Sequence, residues 1–385
     1  MEALILSCGT GGGHNTAAQA AAEEWKRRGH SAVFLDPYQL VGDRTAVLVG
    51  NLYIKLVQKA PWLFGLVYSL GQAYRRLPFR SPVYWANGKV ARYMEEFLDK
   101  HHFDVIIMTH IFPAQILANL KRRGRKLPKT ILIATDYTCI PFMEESDCDY
   151  YIAPSPELVE EFCSYGIPRE RILPYGIPVR QAFLHSLSQE EAREKLGLDQ
   201  NRRYLLLSGG SIGAGKMAVS VLTLQRYLRE HPECSLIIIC GNNEALHRRL
   251  SRLYAGHSQM KLIKSTPDMA WYMKACDVFI TKPGGLSSTE AAVAGVPLIH
   301  MPPIPGCETK NVAFFSSHAM SAAVRSPRKE LLPLLERFRD PGETLEMRQA
   351  QSRFVNRQAA KQLCDLMEAS EPPLPQEAFL PCEIT

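Results

Sequence analysis

One local pattern occurs twice in this chain of 385 residues and limits the folds open to it. At residues 4–8 an apolar run, Leu-Ile-Leu-Ser-Cys, leads into Gly9-Thr10-Gly11-Gly12-Gly13-His14 and then a helix-forming stretch over 16–28. At residues 204–208, Tyr-Leu-Leu-Leu-Ser leads into Gly209-Gly210-Ser211-Ile212-Gly213-Ala214-Gly215-Lys216, with helical spacing again over 217–230. Short continuous apolar runs bounded by glycine turns are strands buried on both faces, and their alternation with helices indicates parallel sheets. Further runs at 32–35, 104–109, 130–135 and 150–153 follow the first, and runs at 236–240, 261–263, 278–281 and 297–300 follow the second. The pattern predicts an α/β chain of two Rossmann-like domains, and the length agrees, since domains take about 100–200 residues each. The expected division is an N-terminal domain over 1–185, a C-terminal domain over 186–345, and a C-terminal helix over 346–369 packing back toward the first domain. Residues 370–385, which contain Glu371-Pro372-Pro373-Leu374-Pro375, are expected to be a flexible tail.

Charge divides the chain unevenly. Residues 44–130 hold 15 Lys/Arg against 4 Asp/Glu, and the rest of the chain holds 30 against 35. Such a basic block suits nucleic acid or an anionic membrane surface, or is merely a solvated face. Within it, residues 60–74 (Ala-Pro-Trp-Leu-Phe-Gly-Leu-Val-Tyr-Ser-Leu-Gly-Gln-Ala-Tyr) carry no charge and are bordered by Lys55, Lys59, Arg75, Arg76 and Arg80. A spanning helix takes about 20 apolar residues, so this segment is too short to cross. Its aromatic and aliphatic content between cations suits an interfacial contact, which selects the membrane surface, through residues of about 50–100, over nucleic acid. The ten cysteines fall singly, with no metal-ligand spacing, and the N-terminus opens directly on a strand. These features lead to an expectation of reduced thiols, no bound metal, and a cytoplasmic protein held peripherally at the inner face of the cell membrane.

Three glycine turns carry the chemistry. The turn at Gly11, Gly12 and Gly13 lets the backbone approach a ligand at a helix start. It lacks the third glycine of the dinucleotide fingerprint, where His14 stands, and only Asp36 lies near the place of a ribose-binding acid. His14 suits either a general base or a loop-ordering cap. The turn at 210–216 matches seven positions of the P-loop, but Met217 replaces the magnesium-binding hydroxyl, so nucleotide hydrolysis is rejected while a diphosphate cradle is kept. The third is Thr281-Lys282-Pro283-Gly284-Gly285-Leu286-Ser287-Ser288-Thr289-Glu290, followed by Pro305-Gly306-Cys307-Glu308-Thr309-Lys310-Asn311. A helix start after Pro-Gly-Gly suits phosphate, and a carboxylate one turn on, Glu290, accepts two hydrogen bonds from a ribose diol. Glu308 and Asn311 supply a carboxylate and an amide for sugar hydroxyls. In the first half, Thr109-His110-Ile111-Phe112-Pro113-Ala114-Gln115 and Thr135-Asp136-Tyr137 follow strands at the edge where parallel sheets bind ligands. Asp136 either orients a base or caps a turn.

On these residues the chain resembles the monogalactosyldiacylglycerol synthase and processive diacylglycerol glucosyltransferase family, and more distantly the transferase that adds N-acetylglucosamine to lipid I. The resemblance runs to about residue 325. It includes Gly-Gly-Gly-His at 11–14, His110…Pro113…Gln115, Thr135-Asp136, Gly176-Ile177-Pro178-Val179, the turn at 209–215, Cys240-Gly241-Asn242-Asn243, and the pair Lys-Pro-Gly-Gly…Glu and Pro-Gly-x-Glu-x-x-Asn. It implies a GT-B fold, two Rossmann-like domains facing across a cleft, and inverting, metal-independent transfer of a hexose from a UDP-sugar to a membrane lipid, diacylglycerol first. No cofactor is implied beyond the UDP-sugar donor. By the same resemblance His14 and Asp136 are the catalytic candidates. The donor set is Gly12, Gly13, Gly209, Gly210, Ser211, Gly241, Ser265, Thr266, Met269, Pro283, Gly284, Gly285, Ser287, Glu290, Cys307, Glu308 and Asn311. The chain departs from the family pattern at Cys307, where many members have glutamine, and over 137–143, which lacks the usual His/Trp stretch.

Overall fold

In the computed structural model, which describes residues 1–9, 11–185 and 188–369, the apolar runs are strands and every strand pairing is parallel. The chain divides into two compact units, Met1–Gln181 with the chain from Asn356 onward, and Ala182–Val355. The first unit contains β1 (Glu2–Leu6), α1 (Gly12–Arg27), β2 (Ser31–Leu35), α2 (Asp43–Lys59), α3 (Pro61–Tyr74), α4 (Pro82–Gly88), α5 (Ala91–Lys100), β3 (Val105–Met108), α6 (Ile111–Arg122), β4 (Lys129–Ile133), β5 (Tyr150–Ile152) and β6 (Ile172–Leu173). Its sheet runs β2-β1-β3-β4-β5-β6. The second unit contains β7 (Arg203–Ser208), β8 (Cys234–Ile239), β9 (Met260–Ile263), β10 (Val278–Thr281), β11 (Leu298–His300) and β12 (Ala322–Ala323), in the order β12-β11-β10-β7-β8-β9. Both sheets are Rossmann-like. The two-residue strands β6 and β12 were not expected, because runs that short carry no periodicity to read.

The strand order reverses between β1 and β3 in the first unit and between β7 and β10 in the second. Loops on either side of such a point leave the sheet in opposite directions and open a crevice at the carboxyl ends of the strands, where open α/β sheets bind ligands. The register sharpens this: Leu6 pairs with Met108, and Ser208 pairs with Thr281. The next residues, Ser7 beside Thr109 and Gly209 beside Lys282, therefore leave their sheets side by side.

The segment over 346–369, expected as one helix, is part of two: Pro341–Phe354 in the second unit and Ala359–Glu368 in the first. The break falls at Val355, in extended conformation, and Asn356. The Asn356 amide donates to the Tyr175 carbonyl at 2.8 Å while its oxygen accepts from the Gln358 amide, so it serves the start of the second helix rather than continuing the first. The first unit ends at Gln181, not 185. The tail expected over 370–385 lies outside the described residues, as does Thr10.

The last helix completes the first unit's core. Leu363, Cys364, Leu366 and Met367 pack with Ala3, Ala21, Trp25, Val105, Ile107, Ile131 and Ile133. Lys129 donates to the carbonyls of Leu366 and Ala369 at 2.8 and 2.5 Å, a cation on the open end of a helix. Arg28 pairs with Asp365 at 2.8 Å and Glu368 at 2.9 Å. The nine cysteines among the described residues are free thiols. No described helix is long and apolar enough to cross a membrane. Leu363→Ala, at a fully buried site, is expected to cost about 2–5 kcal/mol. Urea unfolding followed by hydrogen exchange should place that loss in the first unit and leave the amides of the second unchanged.

Candidate active site

In the first unit, His14 is the third residue of α1, whose cap position is Gly11, so it does not cap its own helix. Its ring reaches across the switch point. Nδ1 lies 2.7 Å from the Thr109 carbonyl oxygen and 2.9 Å from Thr135 Oγ1. A carbonyl only accepts, so Nδ1 carries a proton, and in the neutral ring the lone pair is then on Nε2. That is the tautomer a general base requires. The capping role belongs instead to His110, which precedes α6 and accepts from the Phe112 amide at 3.2 Å. His110 meets His14 edge to face at 4.7 Å between ring centres. Burial, and secondly the charge of His14, push the His110 pKa well down, so it stays neutral. His14, Thr109, His110, Ile111, Thr135, Asp136, Thr138, Ile140 and Met143 line one small pocket. The two catalytic candidates thus share a site. The loop past Asp136 is held by Glu161, which accepts from the Thr138 hydroxyl and the Cys139 amide. Asp36, the one acid near a ribose position, accepts from the Gly9 and Tyr38 amides and is engaged in ordering the first glycine turn.

In the second unit the glycine turns interlock. A Cβ on Gly213 would come 2.1 Å from the Cys240 oxygen, and one on Gly241 would come 2.4 Å from the Ser211 oxygen. Both residues also have φ near +60°, so these two positions admit glycine alone. The Asn242 amide donates to the Ser211 carbonyl at 2.7 Å and Asn243 Nδ2 to the Gly213 carbonyl at 2.9 Å. Gly209 is likewise closed to a side chain by Ala214. Across the switch point, Pro283 and Gly284 lead into the helix Gly285–Ala294, with Ser287 half-buried in its first turn and Glu290 buried in the second. Ser265, Thr266 and Met269 follow β9 at the far edge of the sheet, with Ser265 exposed and the other two half-buried. Cys307 opens the helix Cys307–Ser317 and is half-buried. Glu308 pairs with Lys282 at 2.5 Å and accepts from the Ile304 amide at 3.0 Å. Asn311 is fully buried and donates to the Pro283 carbonyl at 2.9 Å, fixing the turn ahead of the helix Gly285–Ala294. Gly12 and Gly13, by contrast, belong to the first unit, in the first turn of α1.

Residues 14–179 match the family model described as monogalactosyldiacylglycerol (MGDG) synthase, and residues 145–368 match that of UDP-N-acetylglucosamine 2-epimerase. A processive diacylglycerol beta-glucosyltransferase of Bacillus pumilus (strain SAFR-032) is 26% identical over 373 residues, 96% of this chain and 95% of that protein. The chain resembles the monogalactosyldiacylglycerol synthase and processive diacylglycerol glucosyltransferase family, by the family model over its first half and by this relative over nearly its whole length. It is a family of glycosyltransferases, and the chain is an enzyme of that class. The epimerase match, which takes in more than half of the chain, places it in that model's family. Among solved structures, Acinetobacter baumannii MurG superposes with a TM-score of 0.61 at 16% identity, covering 95% of this chain and 99% of that one. The UDP-GlcNAc 2-epimerase of Neisseria meningitidis bound to UDP-GlcNAc gives 0.62 at 12% identity with the same coverage. Both share the fold of two Rossmann-like domains, the GT-B class.

Within this glycosyltransferase, sequence reasoning missed what holds the candidate base. Thr109 and Thr135 each end or follow a strand, and only the pairing of β1 with β3 and β3 with β4 brings them to His14. A hydroxyl just past the end of neighbouring strands is the signal that was there to read. The Lys282 side chain is directed to Glu308, an ion pair that the sequence does not reveal. His300 on β11 sits between the hydroxyls of Ser288 and Ser321 at 2.9 and 3.0 Å, and burial pushes its pKa down to about 3. A depressed histidine pKa means the unfolded chain takes up the proton first, so stability is lost as pH falls below the ordinary value near 6.5. Between pH 7 and pH 5 His300 is expected to cost the second unit about 2 kcal/mol. Urea titrations at the two pH values should show that drop, and His300→Gln should flatten it.

Proposed function

We propose that this enzyme moves a hexose from a UDP-sugar to a membrane lipid acceptor, diacylglycerol first, with inversion at the anomeric carbon and no metal ion. The observation that carries the donor half is the side-by-side exit of the 209–215 turn and the Lys282–Gly285 turn at the switch point of the second unit. Backbone N–H groups, a helix start and an ammonium there suit a diphosphate, and Glu290, in the second turn of that helix, is the residue proposed to take the ribose. The support for a uracil nucleotide is that the Neisseria fold neighbour binds UDP-GlcNAc, and the support for diacylglycerol is the name of the Bacillus relatives.

In the proposed reaction the acceptor hydroxyl gives its proton to His14 Nε2 and its oxygen attacks the anomeric carbon. The bond from that carbon to the diphosphate oxygen breaks, and the electron pair leaves with UDP. Asp136, in the same pocket as His14, helps carry the imidazolium that forms. The leaving charge is met by the helix start and the adjacent cation in place of a metal. The decisive measurement mixes the enzyme, in EDTA, with anionic vesicles containing diacylglycerol and each of several UDP-hexoses. Glycolipid with released UDP is the expected result. UDP release without glycolipid points to another amphiphilic acceptor such as a polyprenyl-linked one, and tight donor binding without turnover points to a regulator. The epimerase family match favours one further reading, and conversion of a UDP-sugar to its epimer without any acceptor would replace the transferase proposal.

The proposed membrane contact is α2 and α3, at the inner face of the cell membrane. Ten of the sixteen large apolar side chains exposed among the described residues lie between residues 47 and 85. Trp62, Leu66 and Leu70 recur at a spacing of four and share a face of α3, whose one buried residue is Gly71. Lys55, Lys59, Arg76 and Arg80 are exposed around them. Arg75 is not part of that fringe: it lies 3.4 Å over the Tyr165 ring and pairs with Glu144. Phe64 packs on Tyr53 between the two helices and is also excluded. Replacing Trp62, Leu66 and Leu70 together by serine should cut sedimentation with anionic vesicles at least severalfold while leaving the melting temperature in place. Undiminished sedimentation would remove this surface from the proposal.

A further inference from the structure

We infer that Lys282 is the cation that meets the donor diphosphate, and that Glu308 holds it in position until the donor arrives, the ammonium changing partners on binding. This rests on the reading of the second unit as the donor site and names the charged group within it. The other lysine near a glycine turn, Lys216, is exposed ahead of the helix Met217–Glu230 and makes no side-chain capping bond. Lys282 is placed differently. It follows β10 at the switch point, and its alkyl chain crosses the second glycine turn: a Cβ on Gly210 would come 3.1 Å from Lys282 Cε. Its ammonium then lies over the third turn, 3.2 Å from where a Cβ on Gly284 would stand. Gly284 is the cap position of the helix Gly285–Ala294. The side chain therefore runs between the two glycine turns, with Nζ beside the positive end of a helix.

A cation there, next to a helix start, is unfavourable without a counter-charge. Glu308 supplies it at 2.5 Å, with side chains only 16% and 9% exposed for the lysine and the glutamate. The carboxylate is itself fixed through its other oxygen by the Ile304 amide, so it does not swing away with the lysine. Removing one partner of a pair this shielded leaves a charge uncompensated, and a diphosphate replaces the lost anion for Lys282. Glu308 then turns from an ion-pair partner into an acceptor for sugar hydroxyls, which couples the arrival of the diphosphate to the availability of the sugar-reading carboxylate. The arrangement predicts opposite signs for the two halves of the pair: the lysine favours UDP, and the glutamate competes with it.

Calorimetric titration of the enzyme over all 385 residues with UDP and with uridine tests this, using Lys282→Met, Glu308→Gln and the double variant. Lys282→Met is expected to weaken UDP tenfold or more and to leave uridine within twofold. Glu308→Gln, which still accepts from the Ile304 amide, is expected to tighten UDP at least threefold, and to lose that effect when Lys282 is already Met. Equal weakening of UDP and uridine in Lys282→Met, or weaker UDP in Glu308→Gln, overturns the inference and makes the pair a structural one. Should Lys282→Met fail to fold, the Glu308→Gln titration decides alone. Failure of the wild-type enzyme to bind either ligand overturns instead the donor-site reading on which the inference stands.

Discussion

A parallel sheet delivers all its strand ends to one edge, and the reversal of strand order decides which two loops leave that edge together. Both units depend on this constraint. Pairing of Leu6 with Met108 sets Ser7 against Thr109 and brings His14 to the Thr109 carbonyl. Pairing of Ser208 with Thr281 sets the Gly209 turn against Lys282. The residues with chemical potential are far apart in sequence and become neighbours because hydrogen-bonded ladders of buried strands leave no choice of register.

The two sites then use burial in opposite ways. In the first unit, desolvation keeps His110 neutral as a cap and a structural neighbour of His14. The same effect keeps His300 neutral under the second site, pinned by two serine hydroxyls. In the second unit, charge is retained where burial would oppose it, because Lys282 and Glu308 offset one another. Neutral imidazoles support the frame, and a shielded ion pair stands where an anion is proposed to bind.

The helices over 43–100 follow another logic. α2 buries only Gly50 and Val57, and α3 only Gly71, which fits against Pro141 and Phe142. They are attached at a few small or aromatic contacts and leave a broad apolar face outward. Gly71 and Arg75 join α3 to the loop that runs on from Asp136, so the proposed membrane face and the pocket of His14 share one supporting segment.

By itself the sequence determined the α/β class, the two-fold recurrence of strand, glycine turn and helix, the place of ten of the twelve strands, and the motifs at 11–14, 209–215, 282–290 and 305–311. Those signals are local, since burial on both faces writes a strand as a short apolar run and a close backbone approach writes itself as glycine. Tertiary structure alone decided the rest. It split the last helix at Asn356 and returned the chain to the first unit. It set Thr109 and Thr135 on His14, turned Asn311 inward to Pro283, took Arg75 onto Tyr165, and aimed Lys282 at Glu308. Each of these is a contact between residues that no helical or strand period relates, made only when separate elements dock and a buried donor or charge must find the partner that packing places within reach.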